Sequence, residues 1–532
     1  MSSTPPGTRE GGLPFDDARG CKEWLGALPL TNIPQAQTLL HEGLRGLSAS
    51  GMAGLERLKC LETMRDKIAY LQGEQRARYF GKSLPLSTND TDAWRTGRAL
   101  LEEMEAGYRA VADAARTDAD LAKHAALIAQ RVIRYLGAQM LFHAIVYRRF
   151  DPVLWLRLHK QYRDAEQAGL CGERVKDSLE SEDSASSVEE AYAQVVMLQA
   201  AYLSELGANE IDFTEALLRQ WTRKVKVAMQ APERSTHALA VDLERDIGAR
   251  PPAQVEAGAN RRILDTSPVS MSLRKRIHAL KGEEDVSTLG LPTQATEVDP
   301  LQVMQRLHKL WCDGAPPRPA ARVPDEKTAG MVFGLGDIHF YVTGGKIFEQ
   351  PDKKRELSSR EKQDIEVFGR VTERTQSMMM TEHKFTVENW SVIDEMLGAW
   401  RLQRPSTASR GVTIGKVVAM RVGDSGSFFL GMVSALVQET DGRIVVTVTL
   451  FPGKPEPVAV RAGDARNRAN AKWSEGFRLP ELAKLHVPMS FVVPGGLAHR
   501  GRGIDIWTDA AKESTVYEIL ERGADFDRIT IF

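Results

Sequence analysis

Arginines are the residues of this 532-residue chain whose type and grouping could do chemistry. Arg401, Arg404 and Arg410 precede a stretch of alternating apolar residues, and Arg461, Arg466 and Arg468 follow it. A guanidinium is a planar fork of donors, so it pairs two-pronged with phosphate and stacks on a purine face. Between Trp400 and Asp509, Lys and Arg outnumber Asp and Glu, although the whole chain carries a net charge of −1. A local basic patch of this kind suits a small anionic ligand, while the near-neutral total excludes a globally basic nucleic-acid binder. The other reading of the same residues is a solubilising face, or arginines paired with acidic helices of the N-terminal half.

Other chemistries fail on spacing. Gly334-Leu-Gly336 and Gly344-Gly345-Lys346 suggest a phosphate loop, but Phe340 stands where the leading glycine belongs and Ile347 where the hydroxyl belongs. The third glycine of a dinucleotide fingerprint is also missing. His339 lies among Ile338, Phe340 and Tyr341, which marks a packed core histidine. Glu382-His383 lacks the second histidine of a zinc helix. Cys21, Cys60, Cys171 and Cys312 are widely separated, which argues against a disulfide scaffold or zinc finger and suits a reducing cytoplasm. With no legible Ser/His/Asp set, the sequence gives no catalytic residue, no metal ligand and no cofactor. It reads as a non-enzyme.

The elements that must position the arginines are strands. Val412 to Met420, Phe428 to Val437, Ile444 to Phe451 and Val458 to Arg461 alternate with period two, broken by Asp441-Gly442 and Pro452-Gly453. That pattern predicts an antiparallel meander closing into a small β-barrel. Upstream, from Cys21 to Gln230, periodicity is helical, with helices expected near 34–48, 52–77, 90–115, 118–149, 151–168, 187–206 and 212–230. Ala125 to Phe150 is apolar around most of its circumference and should be central to a bundle. Trp155, Leu158 and Tyr162 have the spacing of a helical repeat. Gly172 to Glu190 reads as a solvated loop.

The fold class is therefore multidomain α+β. The expected divisions are a disordered tail at 1–20, a helical bundle or helical-repeat-like domain at 21–230, and a mixed α/β segment with a Pro-rich linker at 231–325. An α/β segment at 326–400 and a barrel at 401–532 complete it. The N-terminus has no signal-peptide character and no apolar run is long enough to span a membrane, which places the chain in the cytoplasm.

Arg401-Leu-Gln-Arg404, followed by Gly411 and short barrel strands, resembles the PilZ modules that bind cyclic di-GMP. In that family an RxxxR element precedes the first strand and wraps the ligand, and a (D/N)xSxxG turn holds its other side. Here the arginine spacing is RxxR. Asp424-Ser-Gly-Ser427, running on to Gly431, has the residue types of the second element at a different spacing; Asp285-Val-Ser287-Thr-Leu-Gly290 matches it formally but lies far upstream. More loosely, the layout resembles proteobacterial cytoplasmic proteins that pair a helical N-terminal region with such a barrel. The resemblance implies a regulatory or adaptor protein. Its barrel would take a cyclic dinucleotide through Arg401 and Arg404, to which the arginine grouping adds Arg410, Arg461 and Arg466, and its helical half would meet protein partners. The alternative is a ligand-free interaction scaffold with a structural barrel.

Overall fold

A computed structural model describes residues 13–180, 185–314, 321–323, 327–351, 359–368, 385–423, 426–463 and 471–532. The chain divides into two compact units, Met1–Pro317 and Arg318–Phe532.

The first unit is mostly helical: α1 (Ala18–Gly26), α2 (Ile33–Ala49), α3 (Gly54–Arg76), α4 (Thr88–Ala114), α5 (Ala119–Ala122), α6 (Ala125–Ala144), α7 (Val153–Gln167), α8 (Val188–Gln199), α9 (Ala208–Trp221), α10 (Ser267–Lys281) and α11 (Pro300–His308). Their starts follow local chemistry. The side chains of Asn32, Ser87, Asp118 and Ser187 each accept a first-turn backbone N–H, which relieves the unpaired donors of a helix start. α6 is the hub, packing against α4, α7 and α8. Its Ile128, Val132, Ile133, Leu136 and Met140 are all buried. Gly137 lets α8 approach, since a Cβ there would sit 2.2 Å from a Val195 methyl. The helix expected over 118–149 is in fact broken between α5 and α6 and stops at Ala144; Tyr147 beyond it is left-handed (φ 53°). Trp155, Leu158 and Tyr162 are buried in α7, one helix of the bundle. A three-stranded sheet, β3 (Lys226–Ala228), β4 (Ala238–Asp242) and β5 (Arg261–Asp265), runs in the order β3-β5-β4.

Two expectations for this unit change. The tail assigned to 1–20 is structured within its described part: Phe15 is buried and α1 begins at Ala18. The segment 172–190 is not simply solvated. It forms the small hairpin β1 (Val175–Lys176) and β2 (Ala185–Ser186), and Asp177 is only 2% exposed. Arg65 Nη2 lies 2.5 Å and Arg131 Nη1 3.3 Å from its carboxylate, and Gln130 donates to it at 3.1 Å. Glu62 joins the same network, bonded by Arg131 and by the Tyr108 hydroxyl. Asp177 looks solvated in a sequence window; its side-chain partners Arg65, Gln130 and Arg131 lie more than forty residues away.

The second unit holds two closed six-stranded barrels. The first contains β6 (Thr328–Phe333), β7 (Glu388–Met396), β8 (Ala399–Gln403), β9 (Val417–Val422), β10 (Phe429–Gln438) and β11 (Ile444–Leu450). The second contains β12 (Glu456–Ala462), β13 (Ser474–Leu479), β14 (Ser490–Pro494), β15 (Gly503–Trp507), β16 (Ala511–Arg522) and β17 (Phe526–Ile531). The C-terminal barrel expected from the sequence is thus two, and the segment 326–400 is part of the first rather than a region of its own. The reason is strand pairing. A fourth strand after β11 would need its free edge, but β8 holds it, with Thr447 opposite Arg401. The strand 456–462 pairs instead with β13 and β15.

Helix α12 (Leu335–Val342) leaves β6 at Gly334, whose φ of 84° suits glycine, and ends before Gly344 and Gly345. It packs on strands of both barrels. Ile338 shares one core with Val417, Ala419 and Leu430 of the first barrel and Phe477, Val492 and Phe526 of the second. A backbone hydrogen bond from Ala524 to Gly415 and one from Val417 N–H to the Asp525 carboxylate join the barrels further.

Candidate functional site

The first barrel brings Arg401, Arg404 and Arg410 to neighbouring stretches of chain. Arg401 is inside β8, opposite Asp394 of β7, and its Nη2 lies 2.5 Å from that buried carboxylate. Being mid-strand rather than ahead of the first strand, it is held by sheet register. Arg404 begins the connection to β9. Its Nη2 donates to the carbonyls of Ala408 (2.5 Å) and Arg410 (3.2 Å), so it clamps its own loop. Its Nε is buried with no acceptor among the described residues. Arg410 donates to the Phe333 carbonyl at 3.3 Å and to Asp337 Oδ2 at 2.5 Å, tying the loop to α12. Glu388 fastens the other side by accepting the backbone N–H of Ser409 and Arg410.

Around Arg410 the surroundings are half-buried. Burial pushes the Asp337 carboxyl up, and Arg410 opposes the shift without cancelling it. The Tyr341 phenol is also pushed up, by burial and by Asp337. Arg421 lies over the Phe428 ring at 5.0 Å.

Arg461 is on the second barrel. It pairs with buried Asp505 at 3.0 Å, its partner across β12 and β15, and lies 4.3 Å over the Trp473 ring. Arg466, the last of the sequence-derived set, falls outside the described residues, as do Glu382, His383 and Asp424. His339 is packed against Phe348 and Phe477, and burial lowers its pKa to about 4.

Sequence reasoning missed two features of the helical unit. One is a Ser–His–Asp hydrogen-bond order. Ser270 Oγ is 2.9 Å from His308 Nε2, and His308 Nδ1 is 3.0 Å from Asp313 Oδ2. Nucleophilic catalysis needs the hydroxyl exposed to substrate. Ser270 is 2% exposed, and Arg274 Nε approaches the same imidazole nitrogen at 3.3 Å. The arrangement ties α10 to α11. The other feature is a cleft of about 490 Å³ walled by α4 and α7 over α6. The first has no spaced motif because Ser270, His308 and Asp313 come from separate stretches of chain, and the cleft exists only once α4 and α7 pack over α6.

Residues 19–233 match the family described as the N-terminal domain of the cyclic-di-GMP receptor FimW. The chain is 24% identical over 357 residues to the cyclic-di-GMP receptor FimW of Pseudomonas aeruginosa, an alignment covering 66% of this chain and 58% of that protein. The chain is thus similar to the receptor over rather more than half of the receptor's length. Among the described residues no helix is long and apolar enough to cross a membrane, and no group of three or more His, Cys, Asp or Glu is placed to hold a metal ion.

Proposed function

We propose that this protein is a non-catalytic regulatory receptor for a cyclic dinucleotide, acting in the cytoplasm, with cyclic di-GMP as the ligand. The observation that carries the reading is the similarity over 357 residues to a protein whose name states that ligand. The chemistry of the first barrel supports a site at its arginine loop. A cyclic dinucleotide presents two phosphate charges and two purine faces. Arg404, with an unsatisfied buried donor, and Arg410, held by one carboxylate and one carbonyl, are the groups nearest to meeting it. Arg401, Arg461 and Arg466 complete the proposed set.

The mechanism is exchange of partners. A phosphate reaching Arg410 competes with Asp337, and Asp337 belongs to the helix seated against both barrels. Burial already disfavours its charged form. Losing the guanidinium therefore destabilises the present seating of α12 and shifts the population toward another. The helical unit carries the contacts with protein partners in this reading.

The rival reading, a scaffold whose barrels are structural, draws on the ion pairs Arg401–Asp394 and Arg461–Asp505. Calorimetric titration of the full chain with cyclic di-GMP separates the two. Saturable binding weakened by Arg404→Ala and Arg410→Ala supports the receptor, and its absence supports the scaffold.

A further inference from the structure

Helix α10 carries Arg274, Lys275, Arg276 and Lys281 and no Asp or Glu. Its inner side is sealed, with Val269, Leu273 and Ala279 buried. Met271, 68% exposed, shares the outer side with exposed Lys275 and His278, because residues three or four apart lie on one helix face. Arg274 and Lys281, also exposed, flank that stripe. Two more cations come from the turn after α9. Lys224 Nζ donates to Ser272 Oγ at 3.0 Å, and the Trp221 ring lies under both Lys224 (5.9 Å) and Arg276 (5.0 Å). Arg223 beside Lys224 is exposed.

These cations lack counter-charges. Arg276 donates to the carbonyls of Leu289 (3.0 Å) and Ser272 (3.3 Å), Arg274 approaches His308, and Lys224 meets only a hydroxyl. Among the described residues none of Arg223, Lys224, Arg274, Lys275, Arg276 and Lys281 is ion-paired. Other exposed cations of the same unit are: Arg19 with Glu23, Lys59 with Glu56, Lys160 with Asp164 and Lys226 with Glu189. Burial pushes the Lys224 amine down, and Arg276 and Arg223 push it the same way. Carboxylates brought to such a patch relieve a repulsion as well as adding an attraction. The stripe from Met271 to Lys281 is one helix wide and roughly 15 Å long. That is the footprint of a single acidic helix or strand laid along α10, and an exposed methionine among cations offers it a soft apolar contact. A membrane-surface helix keeps an apolar face free for the lipid, whereas α10 has spent its own on the core. We propose that the outer face of α10, together with the Arg223–Lys224 turn, docks an acidic segment of a partner protein. The surface gives a place and a chemistry to the protein contacts of the receptor reading, and rests on that reading only for there being a partner.

The test is fluorescence anisotropy of a fluorescein-labelled peptide of alternating Glu and Leu against the full chain, with the matching Lys and Leu peptide as control. Saturable binding of the acidic peptide alone is expected, weakening as salt is added. Lys275→Glu with Lys281→Glu changes two exposed side chains that bond no other described residue. It should weaken binding about tenfold or more, since each change replaces an attraction with a repulsion. Met271→Ser should weaken it about threefold through lost apolar contact. Lys22→Glu with Lys123→Glu, the same charge change on exposed residues of α1 and just after α5, should leave it within about twofold. Absent saturation, binding indifferent to the α10 changes, or equal loss in the control variant overturns the proposal. Sedimentation with phosphatidylcholine vesicles containing phosphatidylserine runs alongside; vesicle binding that the α10 changes abolish, without peptide binding, assigns the patch to lipid and overturns it. Cyclic di-GMP titration separates this surface from the receptor reading. The α10 variant should bind that ligand as the wild type does, and its loss together with peptide binding gives the patch to the ligand and overturns the proposal. A wild-type chain that binds the peptide but no cyclic di-GMP keeps this surface and loses the receptor reading.

Discussion

Removing the Asp177 carboxylate tests how the helical unit holds its hairpin. Arg65 and Arg131 are 3% and 1% exposed, so neither guanidinium can turn to water when Asp177→Ala deletes their shared partner. Uncompensated buried charge costs about 3–5 kcal/mol. Glu62 remains in reach of both arginines, at 3.4 Å from Arg65 and 2.9 Å from Arg131, which puts the expected loss near the lower limit, about 3 kcal/mol. Urea unfolding followed by far-ultraviolet circular dichroism would read it. Acid supplies a second reading. Burial alone would raise the Asp177 pKa, but Arg65 and Arg131 override it and hold the carboxyl at about 2, below its ordinary 3.8. A depressed carboxyl stabilises the fold above its unfolded pKa. That contribution, about 2 kcal/mol by linkage, is lost as pH falls from about 4 to 2. Asp177→Asn should flatten this part of the stability profile. Replacing the pair together, Arg65→Met with Asp177→Leu, should recover stability relative to Asp177→Ala. A loss below about 1 kcal/mol in Asp177→Ala, or an unchanged acid profile in Asp177→Asn, would refute the reasoning.

Leu136 is fully buried on the hub helix, so Leu136→Ala should cost about 2–5 kcal/mol in the same urea assay. Burial lowers the His159 pKa to about 4, and its ring sits between the Tyr192 hydroxyl (2.8 Å) and the Ile247 carbonyl (2.9 Å), which suits a neutral imidazole donating to the carbonyl. Stability from this site should be complete above the ordinary value of 6.5 and decline toward pH 4, and a His159 resonance titrating near 6.5 by NMR would contradict that. Arg410→Ala frees Asp337, so hydrogen exchange should quicken in α12 and spare α6; equal exchange in wild type and variant would remove the tie between loop and helix.

The helices were legible because their signal is local. Expected spans 34–48, 52–77 and 151–168 became 33–49, 54–76 and 153–167; of the three, α2 also carries a side-chain cap, Asn32, beside its window. What escaped was pairing. The residues 388–403 alternate weakly, and nothing nearby announces that Arg401 will lie opposite Thr447 and make β8 the neighbour of β11. The second barrel escaped with it, because the strand after Pro452-Gly453 looked like the last of four. Arginine grouping along the chain singled out the loop that Arg404 and Arg410 hold in place. It could not show that Asp394, Asp337 and Asp505 would each claim a member. The cleft over α6 and the Asp177 network were illegible because both are built from residues on separate elements.

The central claim is ligand binding by a receptor, and titration calorimetry of the full chain with cyclic di-GMP tests it most directly. The account predicts a saturable heat of binding, weaker in Arg404→Ala and in added salt, which screens exposed guanidinium–phosphate attraction. No saturable heat from the wild-type chain at ligand concentrations up to about 1 mM, where binding is worth only about 4 kcal/mol, would contradict it.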